Sequence, residues 1–202
     1  MSTIDLTPPW DLVVQPVDKL LTAADLEAFP TELPSGMPID YELDNGRLVL
    51  IMAPPGDVHG AAQSLIATYL TMHGEFKGHG KVRTEVGIVL WRSPDRVVGA
   101  DVAFIAKKSL PLKVAREGYL ETIPELVVEI RSKNDSLSYM QRKVEHYLKA
   151  GVEIVWVVDP SAKIVTIHAA DAEPLVREGS DILELPNLIP DFSLPVADVF
   201  RE

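Results

Sequence analysis

The sequence predicts an α/β domain, a mixed β-sheet flanked by α-helices. Three observations carry that expectation. Short β-rich runs and two amphipathic helical segments follow one another in the order β-hairpin, α, β, β, β, α, β, β. One run, Leu126-Val127-Val128-Glu129-Ile130, has the near-continuous apolar character of a strand covered on both faces. The chain has 202 residues, 47% hydrophobic and 24% charged, which suits one globular domain with its own core.

The elements follow in chain order. Residues 1–35 are rich in proline and polar side chains and read as an arm, with a short helix over 21–29 and Thr22 as its N-cap. Residues 36–202 form the single domain. Residues 41–52 read as a hairpin, because Asp44-Asn45-Gly46 supplies the positive φ that a tight turn needs. A helix over 58–74 follows, with Ala62, Leu65, Ile66, Tyr69 and Met72 at helical spacing. Strands are expected over 81–91 and 97–105, around the turn Ser93-Pro94-Asp95, and over 126–130. Residues 106–124 read as a long surface connection. A helix over 136–150 ends at Gly151, a residue suited to a left-handed C-cap. Strands over 154–158 and 164–168 come next, and the proline-bearing tail 183–200 reads as a surface wrap.

Composition excludes several classes. With no cysteine, disulfide frameworks, Cys-ligated zinc and thiol catalysis are out. No apolar stretch approaches the roughly 20 residues of a membrane span, and the first residues lack a basic, then apolar, leader. A cytoplasmic location and no membrane partner are the resulting expectations. The formal charge of −11 argues against a uniformly basic nucleic-acid binder but leaves room for a local basic groove. No H-E-x-x-H, P-loop or G-x-S-x-G pattern is present. No aromatic platform for stacking bases is legible in the sequence.

Two carboxylates look out of place. Glu129 lies inside an apolar strand, where an unpaired charge is costly. A basic side chain, amide donors, a raised pKa or a metal ion could each compensate it. Asp101 opens the strand segment Asp101-Val102-Ala103-Phe104-Ile105, where aspartate is disfavoured. On adjacent strands the two could converge on one Mg²⁺, a hard ion that takes oxygen ligands and drives metal-assisted phosphodiester hydrolysis. Arg131 follows Glu129 by two residues and could offset phosphoryl charge, although it cannot act as a base. Lys143 is the second cation candidate. It flanks the apolar stripe Leu137, Met140, Val144, Tyr147 and Leu148, from which its ammonium could reach past the core edge.

Asp101, Glu129-Ile130-Arg131-Ser132, Lys143, Tyr147, Gly151-Val152 and Trp156-Val157-Val158-Asp159-Pro160 together resemble the Uma2 family of restriction endonucleases, within the PD-(D/E)XK nuclease superfamily. Residues 41–48, His59 and the ending Leu188-Ile189-Pro190-Asp191-Phe192 match as well, so the resemblance spans about 20–200. It implies a restriction-endonuclease-like core. It implies Asp101, Glu129 and the Ile130 carbonyl as ligands of Mg²⁺, with Mn²⁺ as the substitute ion. The superfamily lysine normally stands where this chain has Arg131, and the resemblance moves its role to Lys143. Ala100 replaces the usual proline. Glu42 and His59 would line the same cleft.

Residues 107–149 hold nine Lys/Arg and six Asp/Glu, whereas the rest of the chain holds 10 and 24. Lys107, Lys108, Lys113 and Arg116 are therefore the expected nucleic-acid contacts. The expected function is a Mg²⁺-dependent DNA endonuclease; the resemblance implies a homodimer and a 5′-phosphate product. The rival is a non-catalytic interaction or nucleic-acid-binding module on a nuclease fold.

Overall fold

The computed structural model describes residues 19–32, 36, 38–51, 56–110, 118–133 and 135–201. The hairpin forms from β1 (Asp40–Asp44) and β2 (Arg47–Ile51), with Asn45 and Gly46 at φ 50° and 77°. Both central turn residues thus use the left-handed region that the Asn-Gly pair tolerates. The preceding α1 (Ala23–Leu26) is closed by a capping box between Thr22 and Asp25. It docks on the hairpin through Leu21, Ala23 and Leu26, which pack with Leu43, Val89 and Val97.

The central sheet also contains β3 (Gly80–Trp91), β4 (Arg96–Ala106), β5 (Leu126–Ile130), β6 (Ile154–Asp159), β7 (Ile164–Ala169) and β8 (Leu175–Glu178). The path runs β2-β1-β4-β5-β6-β7-β8, with β3 paired to β4. Among the paired strands of the described residues, β5 and β6 alone run parallel, and α3 (Leu137–Ala150) makes the crossover between them. Ser136 caps α3 by accepting the Tyr139 N–H, and Gly151 ends it at φ 103°.

Helices cover both faces. Ala62, Ile66 and Leu70 of α2 (Asp57–Leu70) pack on Val102, Phe104, Val128 and Trp156. On the opposite face, Val144 and Tyr147 of α3 pack on Ile88, Ala103, Val127 and Val155. The tail departs from expectation. It forms a second sheet, β9 (Ile182–Leu185) with β10 (Ile189–Pro195), followed by α4 (Val196–Val199). Leu183, Leu185, Ile189, Phe192 and Leu194 belong to the main core. Proline fits here because a two-stranded sheet has an outward side at every strand.

One irregularity positions the site. Val82, Val102, Phe104 and Ala106 face the α2 side, whereas Val86, Ile88, Val98 and Ala100 face the α3 side. Regular alternation would place all these even-numbered residues on one face. The inversion occurs in both strands between Thr84↔Val102 and Val86↔Ala100, where Glu85 takes φ 48°. Asp101 lies at that step.

Candidate active site

The far edge of β4 is divided between two strands. Val97 pairs with Leu43 of β1, while Val102, Ala103 and Phe104 pair with β5. Residues 98–101 lie in the notch between. Side chains, rather than a neighbouring strand, satisfy the Gly99 backbone there. Its N–H donates to Glu42 Oε1 at 2.9 Å, and its carbonyl accepts from Lys143 Nζ at 2.9 Å. Continuing the β4–β5 ladder by one step would set Asp101 opposite Glu129. Instead, Asp101 Oδ2 accepts the Ile130 N–H at 2.6 Å.

Glu129 faces α3, since Leu126, Val128 and Ile130 take the other side of β5. Lys143 and Tyr147, one helical turn apart, meet it there. Lys143 Nζ donates to Glu129 Oε2 at 2.6 Å, and Tyr147 Oη donates to Oε1 at 2.6 Å. Tyr147 Oη also lies 3.1 Å from the Gly99 carbonyl. All three side chains are buried. The expectation that Lys143 reaches past the core edge is therefore corrected: its ammonium turns inward, drawn by Glu129 and Gly99. Glu42 Oε1 lies 3.9 Å from the same ammonium.

Burial pushes the Glu129 carboxyl up to about 7; Lys143 opposes this and Asp101 adds to it. Burial alone would lower the Lys143 pKa, but the Glu129 and Glu42 carboxylates more than offset it and raise it. His59, on the first turn of α2, brings Nε2 to 3.3 Å from Asp101 Oδ2. This contact with Asp101 raises the His59 pKa against desolvation, with Glu85 and Glu129 contributing. Gln63 bridges the same region, donating to Glu85 Oε1 at 2.6 Å and to the Asp101 carbonyl at 3.0 Å.

These groups open into a cleft of about 1910 Å³, lined by Glu42, His59, Asp101, Glu129, Ile130 and Lys143 among others. The donor set suits a hard divalent cation. Asp101 Oδ1 accepts no hydrogen bond among the described residues. Each Glu129 oxygen, with one protein donor, keeps a second lone pair. No three His, Asp or Glu side chains among the described residues form a metal-holding group. Two carboxylates completed by carbonyl, water and phosphate oxygens match how Mg²⁺ is usually held.

Arg131 lines the cleft as well. Arg131 donates to Asp159 Oδ2 at 2.6 Å and to the Asp135 carbonyl at 3.2 Å, so its guanidinium braces two turns. Lys107 and Lys108 follow β4 at its other end and do not line the cleft; Lys108 donates to Glu153 at 2.7 Å. Lys113 and Arg116 lie outside the described residues. Sequence reasoning missed Tyr147, Gln63, Glu85 and the Gly99 backbone as parts of the site. Tyr147 carried a usable signal, because a fully buried tyrosine hydroxyl needs a partner. Sequence reasoning also missed the aromatic side chains Phe29, Tyr41, Tyr119 and Tyr139, which line the same cleft.

The sequence profile of the Uma2 family, described as "Putative restriction endonuclease", matches residues 25–197. Among solved structures, one described as a "putative nuclease belonging to DUF820", from Anabaena variabilis, matches with a TM-score of 0.71 and 19% identity. The match covers 89% of this chain and 97% of that chain. At this identity the likeness shows the fold. No curated protein matches the chain.

Proposed function

Because the chain belongs to the Uma2 family, we propose that it is a Mg²⁺-dependent DNA endonuclease that hydrolyses phosphodiester bonds. The observation carrying this reading is the meeting of Asp101, Glu129 and Lys143 at one notch in the sheet. Asp101 and Glu129, with the Ile130 carbonyl, would hold Mg²⁺ or Mn²⁺. Such a cation supplies Lewis acidity toward a phosphoryl oxygen and acidifies water.

The chain's own groups do the rest. Lys143 spends two N–H bonds on Glu129 and Gly99 and keeps a third for the charge that develops on the phosphoryl oxygens. Tyr147 orients the Glu129 carboxylate. Glu42 holds the Gly99 peptide and adds negative charge beside Lys143, which keeps that ammonium protonated. His59 holds a proton at Nε2 toward Asp101 and balances its charge. Arg131 serves as the brace between turns.

The reading extends to a homodimer in the cytoplasm. Light scattering on the purified chain tests the first part. Among the described residues, no helix is long and apolar enough to cross a membrane. The test of function is cleavage of circular duplex and circular single-stranded DNA with Mg²⁺ or Mn²⁺. Wild type should cut at least one substrate, and Glu129→Ala, purified in parallel, neither. Equal cleavage by both proteins contradicts the assignment.

A further inference from the structure

The cleft is polarised in charge. Asp101 of β4 and Glu129 of β5 sit near its middle, with β1 on one side and β6 on the other in the sheet order. From β1 to β6 is three interstrand steps, roughly 14 Å. On the β6 side the lining carries Lys133, in the turn before α3, and Lys163, in the turn between β6 and β7, together with Arg131 and Asp135. Neither lysine has an ion-pair partner among the described residues, whereas Lys19, Lys81, Lys108 and Lys143 do. On the β1 side the lining carries Glu27 and Asp40, and α1 and β1 contribute no lysine or arginine to it among the described residues.

The lysine-bearing rim is a built structure. Asp135 Oδ2 accepts the Ser132 N–H at 2.7 Å, closing the first turn. Asp159 Oδ1 accepts the Ser161 and Ala162 N–H groups at 2.9 and 3.1 Å, closing the second. Arg131 bonds to Asp159 and to the Asp135 carbonyl, fastening one turn to the other. The Ser132 and Ser161 hydroxyls add donors on the same rim.

The acidic wall is also aromatic. Phe29 and Tyr41 meet edge to face with ring centroids 5.3 Å apart. The Tyr119 ring lies over Gly87, where an added Cβ would come within 2.4 Å of it. Glu27, Asp40 and Tyr41 all act electrostatically on Tyr119, which places them around the same ring. Aromatic faces accept unpaired bases, whereas carboxylates repel phosphates.

The geometry points to a single polynucleotide strand as the substrate, its phosphates on the Lys133–Lys163 rim and its bases toward Phe29, Tyr41 and Tyr119. The strand inference rests on the nuclease reading and narrows its substrate class. A duplex would bring its second backbone against Glu27 and Asp40.

Fluorescence anisotropy in EDTA tests this without cleavage, using labelled DNA and RNA strands of about 15 nucleotides and a duplex of equal length. Wild type should bind a single strand at least tenfold more tightly than the duplex. Lys133→Glu/Lys163→Glu should lose about tenfold in single-strand affinity and flatten the log–log salt slope by roughly 1.4, about 0.7 per lost phosphate contact. Lys107→Glu should bind like wild type. Glu27→Lys/Asp40→Lys, exposed changes outside the catalytic cluster, should raise duplex affinity selectively.

Equal or tighter duplex binding by wild type overturns the strand inference and leaves the nuclease reading standing. So does wild-type binding by Lys133→Glu/Lys163→Glu, or a loss confined to Lys113→Glu/Arg116→Glu. Wild type that binds no probe overturns the inference, and DNA cleavage then judges the nuclease reading separately.

Discussion

Lys143 Nζ lies 2.6 Å from Glu129 Oε2 inside the fold, with both side chains buried. The pair joins the middle of α3 to the end of β5 and shares the Gly99 carbonyl with Tyr147. A buried ion pair contributes little net stability against an apolar replacement, but loss of one partner is costly. The site is therefore one that folding alone would not favour.

Lys143→Met should lower the cleavage rate by about 10²–10³, the scale of a lost transition-state donor. It should retain Mn²⁺ binding, because Asp101 and Glu129 stay. Its stability cost should be about 3–5 kcal/mol at pH 8.5, where Glu129 has lost the cation that compensates its ionised form. The cost should shrink at pH 5.5, where Glu129, already pushed up to about 7, accepts a proton. Urea denaturation at the two pH values measures the difference.

Glu129 also sets a pH slope in metal-free protein. Its folded pKa of about 7 lies above the ordinary carboxyl value of 4.5, so the folded state binds the extra proton between them. This contribution to stability is complete below pH 4.5 and is lost as pH rises through about 7. Glu129→Gln should abolish that part of the slope in denaturation midpoints. Because a cation needs the ionised carboxylate, Mn²⁺ affinity should climb by up to about tenfold per pH unit below 7 and level off above it.

Tyr147→Phe removes the hydroxyl bound to Glu129 Oε1 and leaves the packing of the ring. It should cost about 1–3 kcal/mol of stability, as expected for a buried acceptor losing its donor. It should also loosen Mn²⁺ binding, because the carboxylate loses its orientation. Calorimetric titration beside thermal melts separates the two effects.

Asp159→Asn tests the brace. Burial opposes ionisation of Asp159, but bonds from Arg131 and the Ala162 and Ser161 amides hold its pKa below the ordinary value. Its stabilising contribution is present above pH 3.8 and is lost as pH falls through the folded pKa. Asp159→Asn should be less stable than wild type at pH 7, with the difference narrowing in acid. A midpoint difference that stays constant with pH would contradict this role.

Local signals were legible where chemistry acts over a few residues. Asn45-Gly46 marked the hairpin turn, Ser136 and Gly151 marked the ends of α3, and the apolar run 126–130 marked β5 to the residue. Glu129 was legible as an anomaly because a carboxylate stood in that run. What remained hidden depends on tertiary packing. Lys143 read as a flank residue because helical spacing does not show which strand faces it. Gly99 looks like an ordinary strand residue until the notch between β1 and β5 brings its backbone to Glu42, Lys143 and Tyr147. The C-terminal hairpin was obscured by Pro186, Pro190 and Pro195, and by the irregular β10 register between Ile189 and Leu194. The aromatic wall was obscured because Phe29, Tyr41 and Tyr119 come from separate segments.

The central claim is that Asp101 and Glu129 hold one divalent cation. Calorimetric titration of Mn²⁺ into wild type, Asp101→Asn and Glu129→Gln at pH 8 tests it most directly. One site in wild type, weakened at least about tenfold in each variant with the fold intact, is the predicted result. Equal Mn²⁺ binding by all three proteins, or none by wild type, contradicts the account.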